Sequence, residues 1–266
     1  MRTLSLGMAT AQHEHTNGRD AIRSRTLPMM TGIHTTRADT TADIVLVHGA
    51  WFGADSWDAV ADRLRTHGHR VIAPDLAGHG SRASESGPHI TLDDHVADVV
   101  AAIRDNAMRD IVLVGHSYGG RVITRVWAEV SDQVAAMVYV DAHAPVLPDL
   151  MPPPPARGMV AFDGFRLDAD MVGGREALER IRDGLVEHSL ATTTAPWQVD
   201  LPVDLPTVYV RATGPDAAPF EVYAAAIRER DDWTLVEIDG PHLLVLSHPD
   251  EVAAVVHSVA VTSRSQ

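Results

Sequence analysis

The stretch Ile111-Val112-Leu113-Val114-Gly115-His116-Ser117-Tyr118-Gly119-Gly120 sets the fold. Its opening run of branched apolar residues is strand-sized and reads as a strand buried on both faces. Just beyond it, Val122, Ile123, Val126, Trp127 and Val130 recur at helical spacing, so a helix begins almost where the strand ends. A serine at so tight a turn takes a strained backbone, and its neighbours two positions away must be small for strand and helix to pass. Gly115 and Gly119 meet that need. Such a turn presents the Ser117 hydroxyl as a nucleophile, while the helix start aims its positive end and the Tyr118 amide at charge developing on a carbonyl.

The same strand-to-helix logic extends in both directions. A strand at 44–47 runs into His48-Gly49-Ala50-Trp51-Phe52-Gly53-Ala54, a glycine-bearing turn able to carry the Ala50 amide across to face that of Tyr118. Further strands are expected at 70–73, 135–140, 207–212 and 234–238, with helices at 55–65, from Thr91 onward, at 219–230 and at 247–259. Thr91 with Asp94, and Ser247 with Asp250, have the spacing of capping boxes. Alternating strands and helices imply a mostly parallel sheet with helices on both faces. The alternation breaks between about 142 and 205, where Pro152–Pro155 and one helix candidate at 175–190 lie, and an excursion of that length reads as a lid. Residues 1–42 are polar and without period, which predicts a loosely ordered extension ahead of one domain at 43–266.

Composition closes off other chemistries. With 22 basic and 36 acidic residues the formal charge is −14, which disfavours nucleic acid as a partner. The absence of cysteine removes thiol nucleophiles, disulfides and thiolate metal sites, and every basic residue is arginine, so Schiff-base lysines are absent too. Serine, histidine and carboxylate chemistry remains. No apolar run is long enough to span a bilayer, and the stretch from Leu4 to Ala11 is too short and polar for a secretory leader. The expectation is a cytoplasmic protein that does not bind membranes.

The 44–57 segment, Asp75-Leu76-Ala77-Gly78-His79-Gly80, Gly115 to Gly119, Val140-Asp141-Ala142, Gly240-Pro241-His242 and Ser247-His248-Pro249 together resemble the α/β-hydrolase superfamily. More narrowly, they are similar to the branch that holds plant methyl esterases, hydroxynitrile lyases and their bacterial relatives. The resemblance covers residues 43 to about 260 and implies an α/β-hydrolase fold with a lid inserted after the sixth strand.

By that resemblance the base is His242, selected from 15 histidines by its place after the last strand. The acid is expected in the loop after the 207–212 strand, where Asp216 stands in Gly214-Pro215-Asp216-Ala217-Ala218-Pro219, a loop that departs from the usual spacing. Asp141, at the end of the preceding strand, is the alternative. The implied reaction is hydrolysis of a small-molecule carboxylic ester through an acyl-enzyme on Ser117, with Ala50 and Tyr118 forming the oxyanion hole and no metal or organic cofactor. Trp51, Phe52 and Leu243 are expected to bind substrate, and Tyr118, Phe162, Phe165 and Trp197 are further candidates to line an apolar pocket. A serine at the elbow argues against dehalogenases and epoxide hydrolases, which place an aspartate there. The lyases carry threonine where this chain has Gly49 and lysine where it has Leu243, which ranks hydrolysis ahead of cyanide release. A lactonase, thioesterase or cyclase acting on a lactone or thioester, or a receptor-like binder with slow turnover, are alternatives on the same residues. The other histidines, His13, His15, His67, His69 and His79 among them, lack metal-like spacing and read as solvent or loop residues.

Overall fold

The computed structural model describes residues 41–147, 158–161, 169, 172 and 174–263. Strands β1 (Asp43–Val47), β2 (Arg70–Ile72), β3 (Ile111–His116) and β4 (Val134–Val140) alternate with helices α1 (Asp58–Thr66), α2 (Leu92–Asp105) and α3 (Gly119–Val130). An insertion follows, with short strands β5 (Met159–Val160) and β6 (His188–Ser189) and helices α4 (Arg175–Gly184) and α5 (Ala191–Thr194). Strand β7 (Thr207–Ala212), helix α6 (Glu221–Arg228), strand β8 (Trp233–Ile238) and helices α7 (Leu244–Ser247) and α8 (Pro249–Ser263) complete the chain.

Six strands pair in the order β2-β1-β3-β4-β7-β8, and every pairing is parallel. Side-chain alternation explains the layering. Val45, Val47, Ile111, Leu113, Met137 and Tyr139 join one core with α2, α3 and α6, while Ile44, Leu46, Val112, Val114, Ala136 and Val138 join the other with α1 and α8. Both faces are therefore covered, as a parallel sheet requires.

Several expectations change at their edges. The insertion leaves the sheet after its fourth strand along the chain, not its sixth, because among the described residues the first strand to enter the sheet is β1. Ala42 belongs to the folded unit, since it is buried and its amide donates to His69 Nδ1 at 3.1 Å. Residues 1–40, the proline run and Phe162 and Phe165 lie outside the described residues. The Thr91 capping box forms as expected, with Asp94 returning a bond to the Thr91 amide. The Ser247 box does not form: Pro249 starts α8, Asp250 pairs with Arg63 of α1, and the Ser247 hydroxyl donates to the Leu243 carbonyl instead. The 175–190 helix ends at Gly184, and β6 uses the residues beyond.

Candidate active site

The turn between β3 and α3 has the strain its sequence implies. Ser117 sits at φ +53°, a left-handed conformation rare for a residue with a side chain. Three backbone bonds hold it there: its amide donates to the Val140 carbonyl, and its own carbonyl accepts from Gly120 and His143. Glycine is required on both sides. A Cβ on Gly115 would lie 2.6 Å from the Gly119 carbonyl oxygen, and one on Gly119 would lie 2.5 Å from that of Val47 and 2.8 Å from that of His48. Because these obstacles are backbone atoms, Gly119→Ala is expected to destabilise the fold by about 1–3 kcal/mol, visible as a lower urea midpoint.

The β1 loop closes over this turn. Gly49 lies so near that an added Cβ would stand 3.1 Å from His116 Nδ1 and 3.2 Å from Ser117 Cβ. Gly49, Ala50, Trp51, Phe52, His116, Ser117, His242 and Leu243 line one narrow crevice. The structure thus brings together Ser117, His242, Ala50 and the three expected substrate contacts, Trp51, Phe52 and Leu243. Among the described residues, neither the Ala50 nor the Tyr118 amide donates to a protein group. The Tyr118 side chain turns away from the crevice lining, and its hydroxyl meets His95 Nδ1 at 2.9 Å. Trp197 does not line the crevice; it is buried against His143 and under the Arg121 guanidinium.

The imidazole of His242 is fixed by several neighbours. Its Nδ1 lies 2.6 Å from Asp141 Oδ2, and the Phe220 ring stacks on it at 4.5 Å. His116 Nε2 donates to the His242 carbonyl at 3.0 Å. The expected acid, Asp216, is elsewhere: its carboxylate accepts the His242 backbone amide at 3.3 Å. The partner of Nδ1 is therefore Asp141, which corrects the expectation. Two local features explain it. Asp141 leaves β4 at φ +40°, and the Ala212 amide at the end of β7 donates to its Oδ1 at 3.2 Å. Gly214 meanwhile bonds Gly240 at 2.7 Å, and the 3-10 turn Pro215–Phe220 directs Asp216 at backbone rather than at the ring.

Burial opposes charge on both members of this pair, pushing Asp141 above the usual carboxylate range and His242 below the usual imidazole range. The Ala212 amide and the Arg211 guanidinium pull Asp141 back down, and Asp216 favours the protonated imidazole. Arg211 is itself buried, with Nε on Glu221 at 2.8 Å and Nη1 3.8 Å from Asp141 Oδ1. With the proton on Nδ1 facing Oδ2, the lone pair falls on Nε2.

A set of buried histidines was not legible in the sequence. His79 and His69, read as solvent or loop residues, are buried, as are His48, His95 and His188. His48 donates from Nδ1 to the Gly49 carbonyl and accepts the Leu76 amide at Nε2. His79 Nε2 meets His188 Nδ1 at 3.0 Å, and His188 Nε2 meets the Thr192 hydroxyl at 2.7 Å. The available signal was position, since His48 and His116 directly extend apolar strand runs. Among the described residues no three side chains are grouped to hold a metal ion, and no helix is long and apolar enough to cross a membrane.

Comparison with known proteins agrees with this fold. The model of the alpha/beta hydrolase family matches residues 44–255. A carbendazim hydrolyzing esterase from a Nocardioides species is 31% identical over 242 residues, 80% of this chain and 97% of its own. A pyrethroid hydrolase of Sphingobium wenxiniae is 28% identical over 254 residues, 83% of this chain and 88% of its own. The crystal structure of polyneuridine aldehyde esterase, at 21% identity, superposes with a TM-score of 0.64 over 82% of this chain and 99% of that one. On its sequence, its sheet and its relatives, the chain belongs to the alpha/beta hydrolase family.

Proposed function

We propose that the protein is a serine hydrolase that cleaves a small, uncharged carboxylic ester. The observation that carries this reading is the Asp141–His242 hydrogen bond of 2.6 Å on a histidine that shares a crevice with the strained Ser117. In this scheme Ser117 attacks the ester carbonyl while His242 Nε2 takes its proton. Asp141 holds the ring by Nδ1 and stabilises the imidazolium that forms. The Ala50 and Tyr118 amides receive the oxyanion, and each such donor is worth about 2.7–4 kcal/mol in the transition state. Collapse expels the alcohol with the proton from His242, and water then releases the acid by the same steps in reverse roles.

The crevice favours a neutral substrate. Its walls are Trp51, Phe52, Leu243 and Ala50, and no charged side chain other than the histidines stands among them. An aromatic or compact aliphatic ester suits that lining. The relatives' names, with carbendazim and pyrethroids as the compounds hydrolysed, support the same class. Leu243, buried where a lyase of this branch carries lysine, supports hydrolysis over cyanide release. The insertion from β5 to α5 serves as the lid in this reading: Leu178, Ile181 and Leu185 pack on Phe52 and Leu243 directly beside the crevice.

The test is turnover of p-nitrophenyl esters of increasing acyl length by the native protein and by Ser117→Ala. Hydrolysis is expected to fall to background in the variant with the thermal midpoint retained. Turnover that survives the substitution overturns the reading.

A further inference from the structure

Trp51 follows the proposed oxyanion donor Ala50 and is one of five described non-glycine residues with positive φ, at +69°. Strain of this kind persists only where the surroundings hold it. Here the insertion holds it from two sides. The Trp51 carbonyl accepts the Val186 amide at 3.1 Å, and the Trp51 indole Nε1 donates to the Val160 carbonyl at 2.8 Å. Val160 is in β5, and Val186 precedes β6, so two separate insertion segments grip one residue of the β1 loop. The ring also lies 6.1 Å from the His188 ring of β6. On the other side of Ala50, Gly49 offers no side chain to stiffen the loop, and its neighbours are His116 and Ser117.

We infer that Trp51 is a positioning residue through which the insertion sets the aim of the Ala50 amide, so that the oxyanion hole is complete only while β5 and the segment before β6 are docked. The inference rests on the proposed hydrolase reading and adds to it a link between lid and oxyanion hole. Loss of either grip lets Trp51 relax toward an ordinary backbone conformation, and the peptide one residue away turns with it. The consequence falls on the transition state, where negative charge sits on the carbonyl oxygen, and not on ground-state binding.

Two variants separate this from a role as pocket wall. Trp51→Phe keeps an aromatic ring but removes the donor to Val160. Val186→Pro removes the donor to the Trp51 carbonyl from outside the crevice, after a Leu185 already extended at φ −68° and ψ 133°, as a residue before proline should be. Each is assayed with p-nitrophenyl acetate, whose acyl group is too small to need the aromatic wall. Each is also titrated with an aryl trifluoromethyl ketone, which binds as an oxyanion adduct, and with the matching methyl ketone, which does not.

The expected result is a loss on the order of tenfold in kcat for both variants, with the same loss in trifluoromethyl ketone affinity and unchanged methyl ketone affinity. The inference is overturned if kcat on acetate and trifluoromethyl ketone affinity stay native while KM rises for bulky esters, or if Val186→Pro, folded by circular dichroism, is indistinguishable from native. Failure of the hydrolase reading looks different: the native protein itself then shows neither ester turnover nor trifluoromethyl ketone binding.

Discussion

Asp141→Asn is expected to lower kcat for ester hydrolysis by about ten-thousand-fold, the scale seen when a triad carboxylate becomes an amide, while Asp216→Asn is expected to cost no more than a few-fold. The asymmetry follows from which atom each carboxylate meets. Asp141 accepts from Nδ1 itself, so it fixes the tautomer that leaves Nε2 basic and offsets the charge of the imidazolium. An asparagine there presents either an NH₂ group, which forces the proton onto Nε2, or a neutral oxygen with little power to stabilise the cation. Asp216 meets only the backbone amide of His242. Its loss weakens a distant favourable charge and one loop contact. The comparison is made by steady-state kinetics of both variants on one p-nitrophenyl ester, and a larger loss in Asp216→Asn contradicts the assignment.

The protein is also expected to lose stability as the pH falls from about 6.5 toward 5, above the range in which surface carboxylates titrate. Buried histidines produce this, among them four that lie outside the Asp141–His242 pair. Burial, aided by His79, lowers His48 to about 3 and His95 to about 4. Burial, aided by His242, lowers His116 to about 3, and burial with Arg121 nearby lowers His143 to about 3. Each is neutral in the fold, whereas in the unfolded chain each takes up a proton near pH 6.5. Below that value the unfolded state binds more protons, so acid favours unfolding, by about 2 kcal/mol per histidine at pH 5. Asp141, raised by burial, acts in the opposite sense but is one group against four. The sum is comparable with the whole stability of a typical domain, about 5–15 kcal/mol. Urea unfolding at about pH 7.5, 6 and 5 checks this: the midpoint is expected to fall steeply, and an equal midpoint at the two extremes contradicts it.

The sheet was readable because parallel strands buried on both faces must be runs of branched apolar residues, and 44–47 and 111–114 are such runs. The elbow was readable because Gly115 and Gly119 answer to close backbone approach, so close that a Cβ added at either would come within 2.5–2.6 Å of a carbonyl oxygen. The acid was not, because Asp141 and Asp216 both follow the carboxyl ends of neighbouring strands, β4 and β7. Choosing between them depends on how far each loop carries its carboxylate, and that is decided by the Gly214 to Gly240 bond and the left-handed turn at Asp141. The Ser247 box failed for a local reason, since Pro249 supplies a better first helical residue than Ser247 supplies a cap. The buried histidines escaped notice because nothing in a lone polar residue states that Leu76, Ala77 and Thr192 will satisfy it.

The proposed chemistry turns on Ser117 being a nucleophile activated by the His242 and Asp141 pair. Fluorophosphonate labelling followed by peptide mapping is its sharpest test, because the reagent reacts with an activated serine whatever the natural ester is. Labelling is expected at Ser117 alone, rapid in the native protein and severely slowed in His242→Ala and Asp141→Asn. A folded native protein that takes no label, or takes it on another serine, contradicts that role for Ser117.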